Sequence, residues 1–111
     1  MQLTSAEMSN VVVFTLSGRL DAYTAPGLRR QLFAAIQQGH YRLVVNLGDV
    51  PLIDSAGLAT LVAGMKHARQ QQGDLRLAAL QPGVRMIFEM TRLDRAFEIL
   101  DSTESAVTSF N

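Results

Sequence analysis

Cysteine is absent from the 111 residues, which excludes disulfides, thiolate catalysis and cysteine-type zinc sites, and fits a reducing compartment. Proline occurs three times and glycine eight, with no periodic or low-complexity tract. Net charge is also missing. Ten Lys and Arg balance ten Asp and Glu, so nucleic acid or an anionic membrane meets no global field. No apolar run approaches the roughly 18 residues of a spanning helix, and Asp54 interrupts the best stretch, 50–62. The first residues lack a basic segment, and Val11 to Leu16 is too short for the apolar region of a signal peptide. A cytoplasmic protein with neither membrane nor direct nucleic-acid partner is expected. The two histidines, His40 and His67, are far apart and have no cysteine beside them, so no metal ligand set is expected.

What is present is globular: 48% of residues are apolar and 18% charged, and a chain of this length forms one domain, 1–111. Two strands, roughly Gln2 to Met8 and Val11 to Ser17, are joined by Ser9 and Asn10, which supply turn chemistry. The nearly continuous apolar run Val11 to Leu16 suggests a strand covered on both faces. A helix follows, entered through Asp21 to Pro26 with Thr24 as N-cap. It runs to about Gln38, burying Leu28, Leu32, Ala35 and Ile36. Tyr41 to Leu47 reads as a buried strand, Gly48 to Pro51 as a turn, and Ala56 to about Gln71 as a second helix ended by Gly73. Leu75 to Leu80 makes a strand, Pro82 and Gly83 open a helix carrying Val84, Ile87 and Phe88, and Phe97 to Leu100 is an edge strand. Ser102 or Thr103 caps a last helix with Ala106, Val107 and Phe110 inward. This order predicts an α/β fold. Its mixed, mostly parallel sheet has four to five strands and about four helices, with the hairpin as the antiparallel member.

In such sheets ligands and reactive groups collect where strands end and helices begin, because helix N–H groups point there unpaired. Two junctions stand out. At Leu52 to Leu58, Ser55 reads as an N-cap bonding the N–H of Gly57 or Leu58, or as a phosphorylation site at the positive end of a helix dipole. At Gly18 to Thr24, Asp21 reads as a turn residue, or as an acidic rim shared with Asp54 where neighbouring parallel strands end. Tyr23 beside it reads as an ordinary half-buried aromatic.

Taken together, Ser17 to Ala25, then Val45-Asn46-Leu47, then Ile53-Asp54-Ser55-Ala56-Gly57-Leu58 resemble the STAS domain of bacterial anti-sigma-factor antagonists. The likeness spans nearly the whole chain, including the Pro82 to Phe88 helix. The resemblance implies that Ser55 is the phosphorylated residue, since in the family the serine directly after the motif's aspartate carries the phosphate. It implies a partner surface of Asp21, Tyr23, Asp54, Ala56, Gly57 and Leu58 together with the exposed face of the second helix. The implied partners are an anti-sigma factor that is also a serine kinase, and a metal-dependent serine phosphatase. No cofactor or catalytic residue is implied. Two positions depart from the family: Ala56 stands where many members have a second hydroxyl, and Arg19 where an acidic residue is common. Arg19 either contacts phosphate or alters partner choice.

Two rival functions are weighed against this reading. An enzyme with Ser55 as nucleophile lacks both the Gly-x-Ser-x-Gly elbow and a nearby base, and no glycine-rich phosphate loop is present. A constitutive STAS interaction subunit, for example of a transport complex, would use the same loops with Ser55 only as a cap.

Overall fold

The computed structural model describes residues 1–111. Strands β1 (Gln2–Met8) and β2 (Val11–Ser17) pair antiparallel from Met8 opposite Val11 to Gln2 opposite Ser17. Ser9 and Asn10 turn the hairpin at φ of 52° and 66°, the left-handed pair whose twist matches the strands. The chain then alternates through α1 (Ala25–Gln37), β3 (Arg42–Asp49), α2 (Ser55–Gln70), β4 (Asp74–Ala78), α3 (Pro82–Met90), β5 (Ile99–Leu100) and α4 (Thr103–Thr108). The sheet order is β1-β2-β3-β4-β5, parallel throughout except for the hairpin. The α/β class and mixed sheet are as expected, and the four to five strands and about four helices read from the sequence resolve to five and four.

Alternation along the strands explains the unbroken apolar runs. Phe14 and Leu16 of β2 and Leu43, Val45 and Leu47 of β3 enter a large core with Leu28 and Leu32 of α1, Leu61 and Met65 of α2 and Phe88 of α3. Val11, Val13, Val44 and Ala78 face the other way, onto Ala106 and Val107 of α4. Both faces of β2 and β3 are therefore dry, so these two strands read as apolar at nearly every position of Val11 to Leu16 and Leu43 to Leu47. The parallel strands β2, β3 and β4 deliver their C-terminal ends, and the starts of α1, α2 and α3, to one edge of the sheet. There the Gln81 side chain donates to the Gly48 carbonyl at 2.9 Å, tying the start of α3 to the end of β3.

Several boundaries differ from the sequence reading. β3 runs on through Gly48 and Asp49, bulging against β2 between Thr15 and Ser17. β4 stops at Ala78 because Ala79 turns at φ 64°, which leaves Leu80 outside the strand. Gly73 does not supply the left-handed residue after α2; Gln72 does, at φ 61°. Gly73 is needed because a Cβ there would collide with the Tyr41 carbonyl. β5 is shorter than expected, and a 3₁₀ turn at Leu93–Arg95, entered through Arg92 at φ 61°, precedes it. Ser102 caps α4 in a reciprocal box with Ser105. No helix is long and apolar enough to cross a membrane.

Candidate functional site

Beyond the ends of β2 and β3 the two chains stay side by side. Gly18 N–H donates to the Asp49 carbonyl, Leu20 N–H to the Leu52 carbonyl, and Asp54 N–H to the Leu20 carbonyl, at 3.0, 3.0 and 3.2 Å. Leu20 and Ile53 form an isolated parallel bridge, and both are buried. This short ladder fixes the loop before α1 against the loop before α2 and brings Asp21 and Asp54 to one rim, as the sequence suggested.

Two carboxylates organise that rim. Asp21 Oδ1 accepts from the N–H groups of Tyr23 (3.0 Å) and Thr24 (3.2 Å) and from the Thr24 hydroxyl (3.2 Å). Asp54 Oδ1 accepts from Gly57 N–H at 3.0 Å, and its Oδ2 from Ala22 N–H at 3.1 Å. Three consecutive N–H groups, those of Ala22, Tyr23 and Thr24, thus end on two aspartates. The two expected caps fare differently. Thr24 stands at the N-cap position of α1 as expected, but its side chain caps no helix N–H: its hydroxyl accepts from Asp21 N–H and donates to the Arg19 carbonyl. Ser55 is not the N-cap of α2. Asp54 is, because the ladder holds it in an extended conformation from which its carboxylate reaches the first turn.

Ser55 is instead the first residue of α2. It is exposed, and its hydroxyl makes no hydrogen bond within the chain. The backbone N–H groups of Ser55 and Ala56 likewise find no acceptor, whereas those of Gly57 and Leu58 are taken by the Asp54 side chain and carbonyl. A hydroxyl beside two unpaired donors at a helix start is a place where negative charge is stabilised. No acidic residue lies in the first turn of α2 itself.

The remaining predicted residues divide by burial. Tyr23 is 93% exposed, more than an ordinary aromatic, while Ala56 and Leu58 are half-buried. Gly57 is buried where the first turn of α2 crosses the Leu20 backbone; it brings the two loops together rather than offering a side chain. Leu52, 46% exposed between the two aspartate loops in the ladder, belongs to the same rim and was not singled out from the sequence, where it reads as part of an apolar run. Arg19 is exposed and close enough to act on Asp21. His40 and His67 lie elsewhere, His67 edge-on against Phe33 at 4.5 Å.

Partial desolvation raises the Asp21 pKa. The N–H groups of Tyr23 and Thr24, the Thr24 hydroxyl and the Arg19 charge outweigh it, so the net direction is below the ordinary aspartate value. A depressed carboxyl stabilises the fold fully above its unfolded pKa, and loses that contribution as pH falls through the folded one. In an acid titration followed by the Tyr23 and Thr24 amide resonances, the loop should stay unchanged above about pH 5 and rearrange only below the ordinary aspartate range. Asp21→Asn should remove that acid step, and a loop transition centred near neutrality would contradict the assignment.

The family model for the STAS domain matches residues 2–106. Over 110 residues the chain is 34% identical to the BtrV protein of Bordetella bronchiseptica, covering 99% of this chain and 95% of that one. It is 33% identical over 98 residues to the anti-sigma-B factor antagonist of Bacillus subtilis, covering 88% and 89%. The Bacillus anti-sigma factor antagonist SpoIIAA has been solved in two forms with this fold. The unphosphorylated form matches with a TM-score of 0.78 at 22% identity, covering 97% of this chain and 96% of that one. The phosphorylated form matches at 0.79 and 21% identity, covering 99% and 100%.

Proposed function

Because the chain belongs to the STAS domain family and is by homology an anti-sigma factor antagonist, we propose that it is a binding protein switched by phosphorylation of Ser55. The observation that carries this reading is the exposed, unbonded Ser55 hydroxyl at the start of α2, beside two N–H groups without acceptors. Unphosphorylated, the protein presents the Tyr23 loop, the Ser55 turn and the outer face of α2 to an anti-sigma factor, which then no longer holds its sigma factor. Phosphate on Ser55 adds a charge of about −1.5 to −2 to a rim that already carries Asp21 and Asp54, and the partner is repelled. A like-charge juxtaposition at an interface costs several kcal/mol, enough to reverse binding without a change of fold. The anti-sigma factor itself serves as the serine kinase, and a metal-dependent serine phosphatase restores the binding form.

The chemistry is checked by mass. After incubation with the anti-sigma factor and Mg-ATP, the tryptic fragment 43–66 should gain about 80 Da, the mass of one phosphoryl group. Ser55 and Thr60 are the only hydroxyl residues in that fragment, and Thr60 is buried. The Ser55→Ala protein should gain nothing. An unmodified fragment in the parent protein, or equal labelling in the variant, would reject the reading.

A further inference from the structure

The two oxygens of Asp54 serve different elements. Oδ1 caps α2 through Gly57, and Oδ2 holds Ala22 N–H in the loop that carries Tyr23. Ala22 N–H has no other acceptor in the chain. The Tyr23 ring, almost wholly exposed, is positioned by its backbone alone, and that backbone is set by Asp21 on its own loop and by Asp54 across the gap. The Asp54 clamp is thus the one side-chain hydrogen bond joining the loop that docks to the helix start that carries Ser55.

We infer that Asp54 is a positioning residue that couples modification of Ser55 to the Tyr23 loop. The inference rests on reading Ser55 as the modified hydroxyl and adds a second consequence to charge repulsion. A phosphate on the neighbouring side chain repels the Asp54 carboxylate and competes for the helix-start donors that now bond it or stand open beside it. As Asp54 withdraws, Ala22 N–H loses its acceptor and the loop is released at Ala22, just before Tyr23, while Asp21 still holds the Tyr23 and Thr24 N–H groups. The fold stays intact, because the Leu20 ladder is made by backbone groups and does not pass through this side chain.

Asparagine separates the clamp from the cap. An Asn at 54 still presents one oxygen to Gly57 and remains a good N-cap, but its second atom is a donor facing the Ala22 donor. The experiment compares the parent chain, Asp54→Asn, and the chain with phosphoserine encoded at position 55, by amide hydrogen exchange and 1H–15N spectra. The Ala22 amide should exchange about tenfold faster in both altered proteins, the change expected for one lost charge-assisted hydrogen bond, with the core amides of Leu32 and Leu61 unmoved. The Asp54→Asn protein should also bind the anti-sigma factor more weakly although Ser55 is unmodified. Unchanged Ala22 exchange in either protein would overturn the coupling, as would parent-like affinity of Asp54→Asn with an accelerated Ala22 amide. The exchange arm needs no partner and no kinase, so failure of the clamp is distinguishable from failure of the Ser55 switch.

Discussion

Gly57→Ala is expected to destabilise the protein by about 2 kcal/mol and to lower its thermal midpoint by roughly 10 °C. In a free helix the same change would be favourable by up to about 1 kcal/mol, because alanine loses less backbone entropy. Here the contact decides the sign. A Cβ on Gly57 would stand 2.7 Å from the Leu20 carbonyl oxygen, 2.8 Å from Ile53 Cγ1 and 2.9 Å from Leu20 Cγ. Leu20 and Ile53 are buried on both sides, and the Leu20 carbonyl is already the acceptor for Asp54 N–H. Making room therefore pushes α2 away from the ladder that aligns the two aspartate loops, so the variant should lose partner affinity along with stability. Gly83 supplies the control, since a Cβ there meets nothing within 4 Å, and Gly83→Ala should raise the midpoint slightly. Chemical and thermal denaturation of the two variants check the pair; an unchanged or raised midpoint for Gly57→Ala would contradict the close approach.

Phosphoserine at position 55 is expected to weaken binding to the anti-sigma factor at least about a hundredfold, equivalent to about 2.7 kcal/mol. The charge arrives on an exposed side chain that makes no hydrogen bond in the fold, so the loss should come from the interface and not from unfolding. Ser55→Ala tests the converse. Since Asp54 supplies the cap, removing the hydroxyl should change stability by no more than about 0.5 kcal/mol, smaller than the loss expected if Ser55 itself capped α2. That variant should bind as the parent does and remain bound in the presence of Mg-ATP. Equal affinities for the alanine and phosphoserine forms would reject the switch.

The parts of the structure that sequence pattern exposes are those governed by local periodicity. The hairpin was legible from two strands separated by Ser9 and Asn10, and α1 from Leu28, Leu32 and Ala35 recurring on one face. The rim was legible to the level of residues but not of roles. Asp54 and Ser55 are both ordinary N-cap types, and only the ladder from Leu20 to Ile53 selects the aspartate, whose second oxygen can also reach Ala22. Thr24 looked like a cap because its hydroxyl stands before a proline-led helix; its actual partners belong to the turn that Asp21 starts earlier. The need for glycine at 57 and 73 comes from backbone that passes nearby from distant segments. The left-handed turns at Gln72, Ala79 and Arg92 fall on residues that carry no turn signature.

The most direct test is a single calorimetric titration series against the anti-sigma factor, using the unmodified chain, the chain carrying phosphoserine at 55, and that same sample after treatment with a serine phosphatase. The dissociation constant should rise by about two orders of magnitude on phosphorylation and return to its starting value once the phosphate is removed, with the circular dichroism spectrum constant throughout. A dissociation constant that is the same in all three samples would contradict the account.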